Sequence, residues 1–272
     1  MKIRNFAKIL SLVIIPYLVG CADSTNTPTD TRTARSVHTE LGWITDADSS
    51  DDFIIQRPQY DLSYNKNLNV ANWVAWNENK SWYGPAERYG TFMPDTLLPS
   101  SFTFVSPSDY TGSGYDRSHI LGSEARTATD ADNKATFYLT NIFPQTPTLN
   151  QQTWYSLEKY CDSLCNTYNK ELYVVAGGVY KTKNRIKSKI TIPDSCWKIV
   201  VVLDRGQKLS SVTSTTEVIA VMMNNGTYTT ANNDWQLYTT TVENIEQQTG
   251  YTFFKDVPEA TRAILKKTKV VL

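Results

Sequence analysis

Histidine is scarce in this 272-residue chain: there are two, His38 and His119. His38 lies in a Thr/Ser/Asp-rich lead-in that reads as unstructured. If the folded part needs an imidazole for chemistry near neutral pH, His119 is therefore the candidate. Excess charge is absent as well, with 27 basic and 27 acidic residues. Residues 1–21 hold three cations, Lys2, Arg4 and Lys8, and no acid, so the remainder carries 24 basic against 27 acidic residues, a net of −3. That balance excludes a bulk electrostatic binder of nucleic acid, so any such chemistry must come from a local site. Long apolar runs are missing too. The longest, Ile9 to Val19, is too short to cross a bilayer as a helix. No internal repeat is present.

The four cysteines are Cys21, Cys161, Cys165 and Cys196. The first ends the apolar run in Leu18-Val19-Gly20-Cys21, which follows a charged segment and resembles a bacterial lipobox. Residues 1–21 are thus expected to be a lipoprotein signal peptide. A lipid anchor on Cys21 would hold the chain stably at a membrane. Ala22 after the cysteine points to the outer membrane or cell surface of a bacterial envelope. With Cys21 acylated, one disulfide and one free thiol are the simplest arithmetic for the other three. Cys161 and Cys165 are four apart on an expected helix, and either could reach Cys196. A metal site built from these three is disfavoured, because no histidine lies near them.

Residues 22–45, rich in Thr, Ser, Asp and Pro, are expected to form a flexible tether, and residues 46–272 one catalytic domain. The 40% hydrophobic content suffices for a full core. Strands are expected at residues 60–65 and 72–76 and at 172–176, the last stopped by Gly177-Gly178, and further strands at 197–203 and 217–223. Helices are expected over 149–168 and 242–248, the second ended by Gly250. Residues 80–113 read as loop. The sum is an α+β fold with a central, mostly antiparallel sheet flanked by helices.

The residues that carry chemistry gather between Tyr115 and Glu158. Asp116-Arg117-Ser118-His119 places an imidazole beside a cation and an anion. Asn150 opens the expected helix, and Glu158 follows two turns later on about the same side. An asparagine oxygen is a hard ligand suited to magnesium, which takes few protein ligands and keeps its waters. A carboxylate one shell out can orient those waters, and a histidine opposite can deprotonate an attacking one. Taken singly, each residue has a plainer reading. Asn150 would be a helix N-cap, Glu158 a solvated helix face, Trp154 core, and Arg88 surface. The functional reading rests on their joint occurrence.

Together these segments resemble the DNA/RNA non-specific endonuclease family, of the ββα-metal superfamily. The residues carrying the resemblance are Asp116-Arg117-Ser118-His119, Asn141-Ile142-Phe143-Pro144-Gln145, Leu149-Asn150, Trp154 and Leu157-Glu158. Upstream, Asn72-Trp73-Val74-Ala75 and Asp109-Tyr110-Thr111-Gly112 extend it, and Val242-Glu243-Asn244-Ile245-Glu246, Thr249-Gly250 and Phe253-Phe254 continue it toward the end. The resemblance implies a ββα-metal nuclease fold. It implies His119 as general base, Asn150 as the direct ligand of magnesium (manganese being the alternative), and Glu158 holding the metal through water. It further implies Asn141 as a supporting residue, Arg88 as a stabiliser of phosphate charge, and Arg117 as the motif arginine. The expected substrates are DNA and RNA, cut without sequence preference to leave 5′-phosphate ends, with no protein partner.

Three residues depart from the family pattern: Ser118 stands in place of Gly, Phe137 in place of an Asn found in some members, and Asp162 in place of an Arg found in some. Ser118 would be strained if the backbone there needs positive φ. The other two remove polar or cationic groups from the phosphate's surroundings. Two alternatives are an inactive nuclease-fold protein that binds nucleic acid at the cell surface, and an aromatic-rich surface lipoprotein for adhesion or glycan capture.

Overall fold

The computed structural model describes residues 36–270. The signal peptide, Cys21 and most of the expected tether lie outside them. In chain order the strands are β1 (Phe53–Gln56), β2 (Asp61–Asn65), β3 (Val70–Asn79), β4 (Asp116–His119), β5 (Ile142–Gln145), β6 (Lys170–Val179), β7 (Arg185–Ile186), β8 (Ile190–Thr191), β9 (Ser195–Asp204) and β10 (Glu217–Asn224). The helices are α1 (Asp130–Ala135), α2 (Tyr155–Asn166), α3 (Val242–Thr249) and α4 (Glu259–Lys267).

Six strands form one sheet in the order β1-β2-β3-β6-β9-β10, with every neighbouring pair antiparallel. Successive side chains on a strand face opposite sides, so a strand buried on both faces sends apolar residues into two cores. β3 shows this: Val74 and Trp76 enter the core on one face, Trp73 and Ala75 the core on the other. The first core packs against α2 through Leu157, Cys161, Leu164 and Cys165. The second is closed by Val242 and Ile245 of α3, Leu265 of α4, and Leu41 and Ile44 from the start of the described chain. The α+β architecture expected from the residue pattern is the one found.

Several boundaries differ. The packed chain begins before Asp46. His38, placed by composition in an unstructured lead-in, is buried, with Nε2 2.8 Å from the Pro58 carbonyl oxygen and Nδ1 accepting from the Asn77 amide. These partners fix it as a neutral ring, and burial, then the charge of Arg126, holds its pKa down to about 4. Ser36 and Thr39 donate to the buried Asp61. A polar-looking segment is ordered here because its few apolar residues and its hydrogen bonds cap the sheet.

β6 does not stop at Gly177-Gly178 but runs through both to Val179, paired throughout with β9. A Cβ on Gly177 would sit 2.5 Å from the Asn72 carbonyl oxygen and 2.8 Å from the Trp197 ring. The glycines there make room for an indole and a neighbouring strand; they do not break the strand. The helix expected over 149–168 begins with a π-helical turn, Leu149–Trp154, before α2. Asn150 is not the cap: Pro147 and Thr148 are already helical, and the Thr146 hydroxyl accepts from the Leu149 amide. Finally, Cys161, Cys165 and Cys196 are all free and buried, so the expected disulfide is absent. Cys165 instead donates toward Glu78. Among the described residues, no helix is long and apolar enough to cross a membrane.

Candidate active site

β4 and β5 form a two-stranded antiparallel ribbon apart from the main sheet, with Asp116 opposite Gln145 and His119 opposite Ile142. The chain between them turns back through α1, and β5 leads through the π-helical turn into α2. This is a ββα unit. Its strands present Arg117 and His119, and its helical arm presents Asn150 and Glu158, to one cavity of about 310 Å³. Arg88 reaches the same cavity from the preceding loop. Five of the six residues singled out from the sequence thus meet in one place. The sixth, Asn141, is fully buried behind the wall. Its Oδ1 accepts from the Leu121 amide at 3.0 Å, and its Nδ2 donates to the carbonyls of Leu121 and Thr136. It staples the chain leaving His119 to the turn that leads into β5, a supporting position out of reach of a substrate.

His119 is 8% exposed, and its Nε2 has no hydrogen-bond partner. Phe137 meets the ring edge-to-face at 4.8 Å, and Phe92 lies 5.3 Å away. Burial, reinforced by the charge of Arg88, drives its pKa down to about 3. The imidazole is therefore neutral across the physiological range, in the wall of the cavity. The Arg88 guanidinium donates to Ser123 and lies over the Phe137 ring, while Arg117 lies over Phe92. Phe137, read from the sequence as a lost polar group, is the aromatic floor that holds both His119 and Arg88.

Asn150 is held by both ends of its amide. Its Nδ2 donates to Asp116 Oδ2 at 2.8 Å, and its Oδ1 lies 2.8 Å from Ser118 Oγ. Gln151 donates to the same Asp116 oxygen. Glu158 has a 24% exposed side chain, yet its Oε1 is buried and lacks a hydrogen bond. Burial raises its pKa to about 7, Lys198 opposes the rise, and Asp162, Glu78 and Glu124 add to it. Gly122 lies close against this carboxylate, where a Cβ would approach Oε1 to 3.1 Å.

The cavity residues that had not been singled out for the site as chemical groups include Lys198, Glu78, Ser123, Glu124 and Tyr155. Lys198 is 2% exposed, with Nζ 3.6 Å from Glu158 Oε1 and 4.2 Å from the Trp154 ring centroid. A lysine inside the apolar run Trp197–Leu203 is the signal that could have exposed it, since a buried ammonium requires a partner. Asp162, where some family members carry a cation, accepts from the Tyr83 hydroxyl and pairs with Lys159.

The donor set suits a hard divalent cation. Asn150 is oriented by Asp116, and Glu158, whose Oε1 has the Lys198 ammonium nearby and no hydrogen bond, lines the same cavity. Among the described residues no group of three or more His, Cys, Asp or Glu could hold a metal. Magnesium, which retains most of its waters, needs no such cage.

With this geometry in hand, comparison with known proteins is specific. The model of the DNA/RNA non-specific endonuclease family matches residues 44–260. A nuclease of Nostoc sp. is 44% identical over 252 residues, covering 90% of this chain and 91% of that protein. A nuclease of Serratia marcescens is 29% identical over 231 residues, covering 80% of this chain and 81% of that one. A chain from the crystal structure of an EndoG/EndoGI complex superposes with a TM-score of 0.68 at 22% identity, over 85% of this chain and 96% of that chain, a likeness of fold. The chain belongs to the DNA/RNA non-specific endonuclease family.

Proposed function

We propose that this member of a nucleic-acid hydrolase family cleaves the phosphodiester backbone of both DNA and RNA, with His119 as general base and Asn150 as the direct ligand of one magnesium ion. The observation that carries the reading is that His119, held neutral and with its buried Nε2 unpartnered, lines the same cavity as Asn150. A base must be unprotonated and close to the attacking water; the lowered pKa supports the first requirement, and the place of His119 in the cavity wall supports the second. Arg88 and Arg117 place positive charge where the phosphate enters, and their aromatic supports hold them there. Asp116 orients the Asn150 amide, and Glu158 would hold the metal through water. When bound, the metal supplies positive charge to offset that gathering on the leaving oxygen. The grip falls on the backbone, which carries no sequence information directly, so cleavage is expected to be indifferent to base and to leave 5′-phosphates. A lipid anchor on Cys21, placing the enzyme on the envelope surface of a bacterium, belongs to the same reading, and Cys21→Ser should move the protein from the membrane fraction to the soluble one.

The test is digestion of supercoiled plasmid and of single-stranded RNA. Loss of both is expected with magnesium, none with a chelator, and at least a hundredfold less with Asn150→Ala at unchanged melting temperature. Because Asn150 is not the cap residue, a variant that melts early but cuts at the normal rate would sink the ligand assignment.

A further inference from the structure

We infer that Ser118, where the family pattern has glycine, is a positioning residue for the metal site, and that its hydroxyl fixes the Asn150 amide oxygen toward the cavity. The inference rests on the metal reading above. Ser118 is 1% exposed in strand β4, and its φ is not positive, so the side chain is carried without backbone strain. Its Oγ lies 2.8 Å from Asn150 Oδ1 and 2.6 Å from Gln145 Oε1, the residue two positions along the facing strand of the ribbon. A hydroxyl has one proton and cannot donate to both oxygens. As placed, Gln145 Nε2 is buried without a partner. Gln145 also reaches the Cys196 side chain, whose thiol burial keeps protonated, with a pKa up to about 12.

One assignment satisfies the Ser118, Gln145 and Asn150 groups. Turning the Gln145 amide end over end lets Nε2 donate to Ser118 Oγ and turns Oε1 toward the protonated thiol. The Ser118 proton is then committed to Asn150 Oδ1. The result is a directed chain: Gln145 N–H to Ser118 oxygen, Ser118 O–H to Asn150 Oδ1, and Asn150 N–H to Asp116 Oδ2. An amide oxygen has two lone pairs, so one remains for the cation. Asp116 alone would fix one end of the Asn150 amide, leaving its plane free to rock; the Ser118 hydroxyl fixes the other end. Groups that orient a ligand in this way are typically worth about 10- to 100-fold in metal affinity or activity. A glycine at this position would leave that end of the amide to water.

The experiment is titration of manganese(II) into the full-length chain, followed by electron paramagnetic resonance of the free ion, beside plasmid cleavage as a function of magnesium. Ser118→Ala should weaken manganese binding about tenfold or more, with turnover at saturating magnesium within threefold of the parent. Ser118→Thr, which keeps the hydroxyl and favours a strand, should bind within threefold of the parent. Melting without metal reports folding separately, and Ser118→Gly, the family residue, serves if alanine folds poorly; it too should bind manganese about tenfold more weakly. Unchanged or tighter binding by the alanine and glycine variants would overturn the inference, the tighter case meaning that the hydroxyl competes with the cation. A parent chain that binds no manganese would instead bring down the metal reading itself, and this inference with it.

Discussion

His119 is the base in the reading proposed above, and its surroundings deny it a charge. Burial is the larger cause and Arg88 the smaller, and both penalise imidazolium, so the neutral form persists down to about pH 3. Protonating the base must shut the reaction off, so an acid limb due to His119 belongs well below the ordinary histidine value. In a profile of kcat/KM against pH at saturating metal, no His119 limb is expected near 6.5. Arg88→Gln removes the cationic share of the depression and should move the limb upward. His119→Ala should lose about 10²- to 10⁴-fold in rate, and a variant keeping more than a tenth of the activity would refute the base assignment. The resemblance of their motifs to those of the family made His119, Asn150 and Glu158 legible as candidates. Lys198 was not legible as a site residue, and Phe137 was legible as a site position but not as the aromatic neighbour of His119 and Arg88. Their importance comes from which side of β9 or which edge of the histidine they meet, and no spacing encodes that. Asn141 was legible as a support, and its three hydrogen bonds to backbone give that word its content.

At the scale of elements, periodicity located the long sheet strands and α3, whose Gly250 adopts φ +82° as a helix-ending glycine should. The short ribbon β4–β5 escaped that reading, because four residues carry too little period and β5 contains a proline. Glycine misled in β6, where a pair read as a stop is a concession to packing. Gly177 lies opposite Trp73 on one side and Trp197 on the other. Gly177→Ala should therefore cost about 1–3 kcal/mol or more through overpacking, seen as a lower denaturation midpoint with an unchanged denaturant slope. Gly226→Ala, where a Cβ meets nothing within 4 Å, is the control and should shift stability by no more than about 0.5 kcal/mol. Equal effects at the two positions would return Gly177 to the status of an ordinary strand interruption.

For the described chain as a whole, the boundary matters most, because a sheet buried on both faces needs both covers. One face is closed by α2 and the ββα unit. The other depends on α3, α4 and the segment from Ser36 to Thr45, which composition assigned to a tether. Polar composition hid that segment because its contribution is concentrated in few groups. Leu41 and Ile44 enter the second core, Thr45 bridges to Thr252, and the Asp256 amide donates to the Leu41 carbonyl. Burying Leu or Ile contributes about 1.5–3 kcal/mol each, so the two together represent about 3–6 kcal/mol in a protein whose net stability is typically about 5–15 kcal/mol. A chain begun at Asp46 should accordingly melt about 6–24 °C below one begun at Ser36, at about 2–4 °C per kcal/mol for a domain of this size. Leu41→Ala with Ile44→Ala in the longer chain should reproduce most of the loss, since each truncation costs about 2–5 kcal/mol at a well-packed site. The candidate-site cavity lies on the other face, so the longer variant should retain its turnover below its melting point. Equal melting temperatures for chains begun at 36 and at 46 would show that α3 and α4 suffice to cover the second face.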